Sequence, residues 1–341
     1  MRLIDNELYR KDIRKVLDHM DLSALNGKTI AVTGALGLIG SAIVDLLIFH
    51  GKIERIYILT RDKGPFDARY GGITKVEWVY YDALEPFTLP YDVDYVIHCA
   101  GIANPELYVS APVETILSNV KGVTELLEYS RTHQVERFLY ISSSEVYGKT
   151  ALEQPIKENE YGQIDIDEVR SSYPMGKKAA ECICKAYAKE YGVHTVIARP
   201  GHVYGPSASR KDTRVSSAFA FLAAEGKEIV LKSAGTSRRS YCYSLDAAAQ
   251  ILYVLLWGEK GASYNISCDA TTTIREIADI YAAAGNTTLR KTDAFETEKR
   301  MFNPMENATL SNDKIAKLGY RNSFTVEEGL AHTVQIINET L

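Results

Sequence analysis

Tyr173 and Lys177, in the run Tyr173-Pro174-Met175-Gly176-Lys177, are residues whose types and spacing can do chemistry together. Four positions apart on a helix, a phenol and an ammonium share one face. A phenol with an ordinary pKa of about 10 is a poor base at neutral pH. A neighbouring cation favours the phenolate and makes the hydroxyl a usable acid and base. A second hydroxyl, Ser143, and a carboxylate, Glu145, lie in the run Tyr140-Ile141-Ser142-Ser143-Ser144-Glu145-Val146-Tyr147-Gly148. Ser143 would orient a substrate hydroxyl and relay its proton. Taken alone, Y-x-x-x-K in a chain with 22 tyrosines is more often chance than chemistry.

An independent motif upstream changes that weighting. Gly34-Ala35-Leu36-Gly37-Leu38-Ile39-Gly40 follows the apolar run Thr29–Thr33 and opens into an apolar helical stretch beginning Ser41-Ala42-Ile43-Val44. Strand, glycine turn, helix is the order in which backbone N–H groups at a helix start hold a pyrophosphate. A Cβ there would block the tight turn and the close approach of the phosphate.

The elements that must position these groups alternate. Candidate strands are Thr29–Thr33, Arg55–Thr60, Val76–Tyr81, Tyr95–Cys99, Arg137–Ser142 and His194–Ala198, with helical patterns over Gly40–Phe49, Val113–His133 and Arg170–Tyr191. Such alternation predicts an α/β fold with a doubly wound parallel sheet. An amphipathic helix over Glu7–His19 precedes it and is expected to pack onto the domain. After Pro206 a basic, hydroxyl-rich loop, Ser207 to Arg214, leads into shorter elements: Ser216–Glu225, Ser240–Tyr243, Leu245–Trp257, Tyr264–Ser267, Thr273–Ala284 and Val326–Asn338. The expected organisation is a helical extension over 1–26, a dinucleotide-binding domain over 27–206 and a smaller α+β substrate lobe over 207–341, with segments free to return to the sheet.

Composition bounds the function. The 341 residues are 46% hydrophobic, enough for a large nucleotide domain and a smaller partner. A formal charge of -5 argues against non-specific nucleic-acid binding. Met1 to Arg14 is studded with charge and holds no apolar signal core, and Leu46–Phe49 and Ile251–Trp257 are too short to span a bilayer. Five scattered cysteines, Cys182 and Cys184 among them as C-x-C, suit neither a disulfide framework nor a zinc site. The histidines show no metal-like spacing, so no metal is expected, and a reducing cytoplasm is the plain setting.

In order along the chain, the G-x-x-G-x-x-G turn and Y-x-x-x-K are joined by His98-Cys99-Ala100-Gly101, Asn104-Pro105 with Tyr108, Asn119-Val120-Lys121-Gly122, Arg199-Pro200-Gly201-His202-Val203-Tyr204-Gly205-Pro206 and Arg239-Ser240-Tyr241-Cys242-Tyr243. Together these resemble the extended short-chain dehydrogenases/reductases of the NAD-dependent nucleotide-sugar epimerase/dehydratase family. The resemblance implies a Rossmann-type sheet with a substrate lobe, and a homodimer made by pairing two helices of each copy into a four-helix bundle. It implies that Gly34, Gly37 and Gly40 carry the pyrophosphate, with Leu38, Ile39, Thr60, Arg61, Asp62, Pro200 and Val203 also at the cofactor. Asp82 and Ala83 would border adenine, Ala100 and Gly101 line the cofactor, and Asn119 support the site. Ser143, Tyr173, Lys177 and Glu145 would be catalytic. Ala103, Asn104, Ser144, Glu145, His202 and Arg239 would meet a nucleotide-diphosphate sugar, with Arg239 gripping the diphosphate or serving only in a surface salt bridge. The family chemistry is transient oxidation at C4 of the sugar.

Three departures refine the expectation. The second strand ends Leu59-Thr60-Arg61-Asp62, where NAD-using relatives usually place an acid at the first position after the apolar run. Threonine followed by arginine favours NADP over NAD, although Asp62 would still serve NAD and Arg61 would also tolerate plain solvation. Ser144 stands where 4,6-dehydratases resemble an aspartate, while Ser143-Ser144-Glu145 with Gly176 and Arg239 resembles UDP-glucuronate decarboxylases. Glu145 hints at C5 or C6 chemistry, or else only hydrogen-bonds backbone or sugar hydroxyls. His202 replaces an asparagine beside the phosphate and would donate one hydrogen bond or merely pack. The sequence puts 4-epimerase first and a UDP-glucuronate-decarboxylase-like enzyme or 4,6-dehydratase as alternative. An NADPH-dependent 4-ketosugar reductase or a non-catalytic NADP-binding regulator comes behind.

Overall fold

Seven strands run parallel in one sheet, in the spatial order β11-β6-β5-β4-β1-β2-β3. They are β1 (Thr29–Thr33), β2 (Arg55–Thr60), β3 (Val76–Tyr80), β4 (Tyr95–His98), β5 (Arg137–Ile141), β6 (Thr195–Pro200) and β11 (Ser263–Ile266). The computed structural model describes residues 1–151, 153–293 and 305–341. β4 and β6 are buried at every position, and β1 and β5 at every position but the first. Continuous apolar strands of this kind need helices on both faces. On one face α5 (Pro112–Thr132) and α6 (Ser172–Glu190) bring Val123, Leu126, Leu127, Ala180 and Cys184 against Phe138, Tyr140 and Ile197. On the other, α2 (Leu38–His50) and α8 (Ser244–Trp257) enclose Ile30, Val32, Ile97 and Leu139.

The expected strands and helices all form, with boundaries shifted by a few residues. One shift matters for chemistry. α6 begins at Ser172 and not Arg170, because Val169–Ser171 forms a separate 3-10 turn. Two elements from beyond residue 206 return to the large sheet: β11 adds its edge strand beside β6, and α8 packs on α2. Small paired strands build the remainder over the sheet's carboxyl edge. These are β7 (His202–Tyr204) with β10 (Tyr241–Tyr243), β8 (Ile229–Leu231) with β13 (Leu289–Lys291), and β9 (Arg238–Arg239) between β12 (Thr272–Thr273) and β14 (Asn307–Ala308). Reciprocal caps, Thr273 with Glu276 and Thr325 with Glu328, start α9 (Ile274–Ala284) and the last helix, Val326–Thr340. No described helix is long and apolar enough to cross a membrane.

Candidate active site

The strand order reverses between β1 and β4, the place where an open parallel sheet leaves a crevice at its carboxyl ends. A cleft of ≈ 1240 Å³ lies there, roofed by α7 (Val215–Ala224) and the small strands. Gly34, Gly37, Leu38, Ile39 and Gly40 line one end. Gly34 has φ +62°, and a Cβ on it would come within 2.7 Å of the Ala100 nitrogen. A Cβ on Gly40 would strike the Gly34 carbonyl, so both glycines are required by geometry. Gly37 caps α2 without a side-chain hydrogen bond, leaving the first N–H groups of that helix for another acceptor. Glycine cradle, uncapped helix start and long cleft fit a dinucleotide. Thr60, Arg61, Asp82 and Ala83 stand at the outer part of this end, and Ala100, Gly101, Pro200 and Val203 line its inner part.

Ser143, Ser144, Glu145, Tyr173 and Lys177 converge at the middle of the cleft. The Ser143 hydroxyl accepts the Glu145 N–H at 3.2 Å and caps the short 3-10 turn Ser144–Tyr147, which aims Glu145 inward. Lys177 donates to the Ile141 carbonyl at 2.8 Å and lies 4.8 Å from the Tyr140 ring centre. Its complete burial lowers its pKa to about 8. Tyr173 departs from the expectation of an ammonium-lowered phenol. Burial and the Glu145 carboxylate raise its pKa, while hydrogen bonds from Ser143 and Tyr108 and the Arg214 charge pull the other way. The Lys177 ammonium sits 6.0 Å from the Tyr173 ring centre, and its hydrogen bond goes to backbone. Tyr108 lies flat on Tyr173, centroids 4.3 Å apart and planes 7° from parallel.

Cations gather at the same place. Arg239 is 3% exposed and donates to the carbonyls of Arg238 at 2.8 Å and Glu306 at 3.1 Å. Among the described residues no carboxylate pairs with it, and burial lowers its pKa. A buried guanidinium without an ion pair, with only the more distant Glu145 carboxylate acting on it, is expensive unless an anion arrives to meet it. His202 lies beside it; burial and the Arg239 and Arg214 charges lower its pKa to about 3, so the ring is neutral, and its buried Nδ1 has no partner among the described residues. Arg214 is gripped by Asp212, with Nε at 3.0 Å and Nη2 at 2.6 Å.

Three candidates stand apart from the cleft lining. Asp62 is an exposed residue heading α3 (Lys63–Tyr70). Asn104 caps α4 (Pro105–Ser110), accepting the Glu106 N–H at 3.0 Å. Asn119 sits behind Gly101, where it accepts the Tyr140 hydroxyl at 3.1 Å. Ala103 is at the rim of the cleft. Sequence reasoning missed Arg170 and Arg214 and gave Tyr108 no role. The available signals were an arginine three residues before the tyrosine and the basic texture of the Ser207–Arg214 loop.

A family model described as the NAD dependent epimerase/dehydratase family matches residues 30–267. A protein named UDP-glucuronic acid decarboxylase 6, from Arabidopsis thaliana, is 34% identical over 252 residues, covering 73% of this chain and 72% of its own. The fold is shared with two solved structures at 23% identity. A dTDP-glucose 4,6-dehydratase from Streptomyces venezuelae with NAD bound has a TM-score of 0.79, covering 91% of this chain and 97% of its own. A UDP-glucose 4-epimerase from Thermotoga maritima has a TM-score of 0.77, covering 92% and 99%.

Proposed function

The chain belongs to the NAD-dependent epimerase/dehydratase family, and we propose that within it the chain decarboxylates a nucleotide-diphosphate hexuronate through transient oxidation at C4. The observation that carries this reading is Glu145, directed into the cleft beside Tyr173 and held there by Arg170. A simple 4-epimerase has no use for a carboxylate at this point. The sequence reading put 4-epimerisation first; the name of the 34% identical relative and the placement of Glu145 support the decarboxylase alternative instead.

When bound, the nicotinamide supplies a reversible hydride acceptor for C4. Beside a positive nicotinamide ring, which favours the phenolate, Tyr173 would take the proton of the C4 hydroxyl, held in line by Ser143. With C4 a ketone, the C6 carboxylate belongs to a β-keto acid. The C5–C6 bond breaks, carbon dioxide leaves, and the electron pair stays on C5 as an enolate stabilised at the C4 oxygen, where Tyr173 returns a hydrogen bond. A proton from solvent must then reach C5, and Glu145, a carboxylate held by Arg170, is placed to relay it. Arg239, with neutral His202 beside it, receives an anionic group of the substrate.

Mass spectrometry of products from UDP-glucuronate tests the reading. Loss of carbon dioxide supports it; unchanged mass returns 4-epimerisation to first place.

The absence of an acid at Thr60, with Arg61 lining the cleft and Asp62 outside it, supports a preference for NADP. Val113, Ile116 and Leu117 form an apolar stripe on α5 that is 60%, 38% and 37% exposed, with Met175 of α6 nearby at 38%. A second copy of the chain covering this stripe would make the expected homodimer, so Ile116→Glu should yield monomer by light scattering. The five cysteines are free thiols, which supports a reducing cytoplasmic setting.

A further inference from the structure

We infer that α1 (Glu7–Leu17), none of whose residues lines the cleft, belongs functionally to the cofactor site, with Tyr9 as a positioning residue for the glycine loop. The inference rests on the family's NAD site and is independent of which sugar is turned over. α1 lies outside the segment 30–267 that the family model matches. It nonetheless reaches the loop through one continuous relay, buried throughout except at Arg69, whose side chain is 18% exposed.

The Tyr9 hydroxyl donates to Asp45 Oδ2 on α2 at 2.8 Å. Arg69 Nη2, from α3, donates to the same oxygen at 2.6 Å, and Arg69 Nε donates to the Tyr70 hydroxyl oxygen at 3.0 Å. That hydroxyl in turn lies 3.4 Å from the carbonyls of both Ala35 and Ser41. Ala35 is the second residue of the glycine loop and Ser41 directly follows its last glycine. Tyr70 thus brackets the loop from behind. Tyr9, Asp45 and Tyr70 are 0% exposed.

Burial makes the relay matter. Asp45 Oδ1 has no hydrogen-bond partner among the described residues, so its carboxylate depends on Tyr9 and Arg69 at Oδ2, with the Tyr70 hydroxyl also within its reach. With Tyr9 silenced, the carboxylate draws harder on Arg69 and on the Tyr70 hydroxyl, and the hold of Tyr70 on the loop is what yields. The loop's N–H groups gain affinity for a pyrophosphate only while their backbone is held in one conformation beforehand.

A second polar residue of α1 provides the control. Asp12 accepts the Tyr243 hydroxyl at 2.9 Å and pairs with His332 at 3.0 Å, tying α1 to β10 and the last helix and not to the loop.

The test is calorimetric titration of NAD into cofactor-free protein, with thermal midpoints measured on the same samples. Tyr9→Phe and Tyr70→Phe keep both rings and should each weaken NAD by about three- to tenfold, the scale of one buried hydrogen bond. Asp12→Asn should lower the midpoint while leaving NAD affinity at the parental value. Parental affinity in Tyr9→Phe overturns the inference. So does an Asp12→Asn variant that weakens NAD as much as Tyr9→Phe, since α1 would then act through stability alone. If Tyr9→Phe does not fold, Tyr70→Phe decides by the same criterion.

Discussion

Glu145 and Arg170 face each other in the cleft with both carboxylate oxygens engaged, Oε2 2.8 Å from Nη1 and Oε1 3.0 Å from Nη2. The two side chains are only 19% and 16% exposed, respectively. A planar fork of this kind fixes the carboxylate in orientation as well as in charge. Glu145 is therefore aimed, and the guanidinium offsets its repulsion of an incoming anionic sugar.

Glu145→Gln keeps the shape and the acceptor oxygen but cannot give a proton. Carbon dioxide release should fall by about 10²–10⁴-fold, the usual range for a general acid or base. Runs in deuterated water should show deuterium at C5 of the product with the parent enzyme. A variant with a near-parental rate would reduce Glu145 to a substrate contact.

Tyr173 and Lys177 separate by different readouts. Tyr173→Phe should abolish turnover with NAD affinity nearly unchanged, because only the proton-carrying hydroxyl is lost. For Lys177 the readout is stability against pH. Burial lowers its folded pKa from 10.5 to about 8, so between those values the unfolded chain holds a proton that the folded chain has lost. Stability gained from Lys177 then rises with pH across that window. Against Lys177→Met, which lacks the group, the cofactor-free parent should start less stable near neutrality and close the gap as pH rises. A gap that stays constant would mean the ammonium is solvated.

Arg239→Gln should move stability and binding in opposite directions. Removing a desolvated cation that makes no ion pair among the described residues should raise the thermal midpoint of the ligand-free protein. The same change should weaken the nucleotide sugar by about 1.5–3 kcal/mol, the range for a hydrogen bond to a charged group. Isothermal titration with UDP-glucuronate and a melting curve decide both halves; unchanged affinity would remove Arg239 from the site.

The Arg61 side chain is 70% exposed and 3.9 Å from Asp82, leaving it free to turn toward an adenosine ribose. Arg61→Ala should weaken NADP by about tenfold, in keeping with a charge-assisted contact, and barely alter NAD. Tighter parental binding of NAD than of NADP would refute the proposed preference.

What the sequence determined by itself is the machinery whose constraints are local. The glycine spacing is legible because backbone at Gly34 and Gly40 leaves no room for a Cβ, whatever surrounds it. Tyr173 and Lys177 share a face because four residues span about one helical turn. Alternating apolar strands and amphipathic helices force the doubly wound sheet. Tertiary structure decided the partnerships. Arg170 meets Glu145 only because a 3-10 turn ahead of α6 swings it out of the helix, a matter of one hydrogen bond that no periodicity records. Arg239 looks like any surface arginine until burial strips its solvent and leaves it, among the described residues, with no ion pair and only the field of Glu145 in the same cleft. Tyr173 is raised, not lowered, because desolvation and the Glu145 carboxylate outweigh the Arg214 charge and the Ser143 and Tyr108 hydrogen bonds, while the Lys177 ammonium is turned toward the Ile141 carbonyl. Motifs follow from what one stretch of backbone permits, whereas charge states and pairings depend on the dielectric that the rest of the chain creates around them.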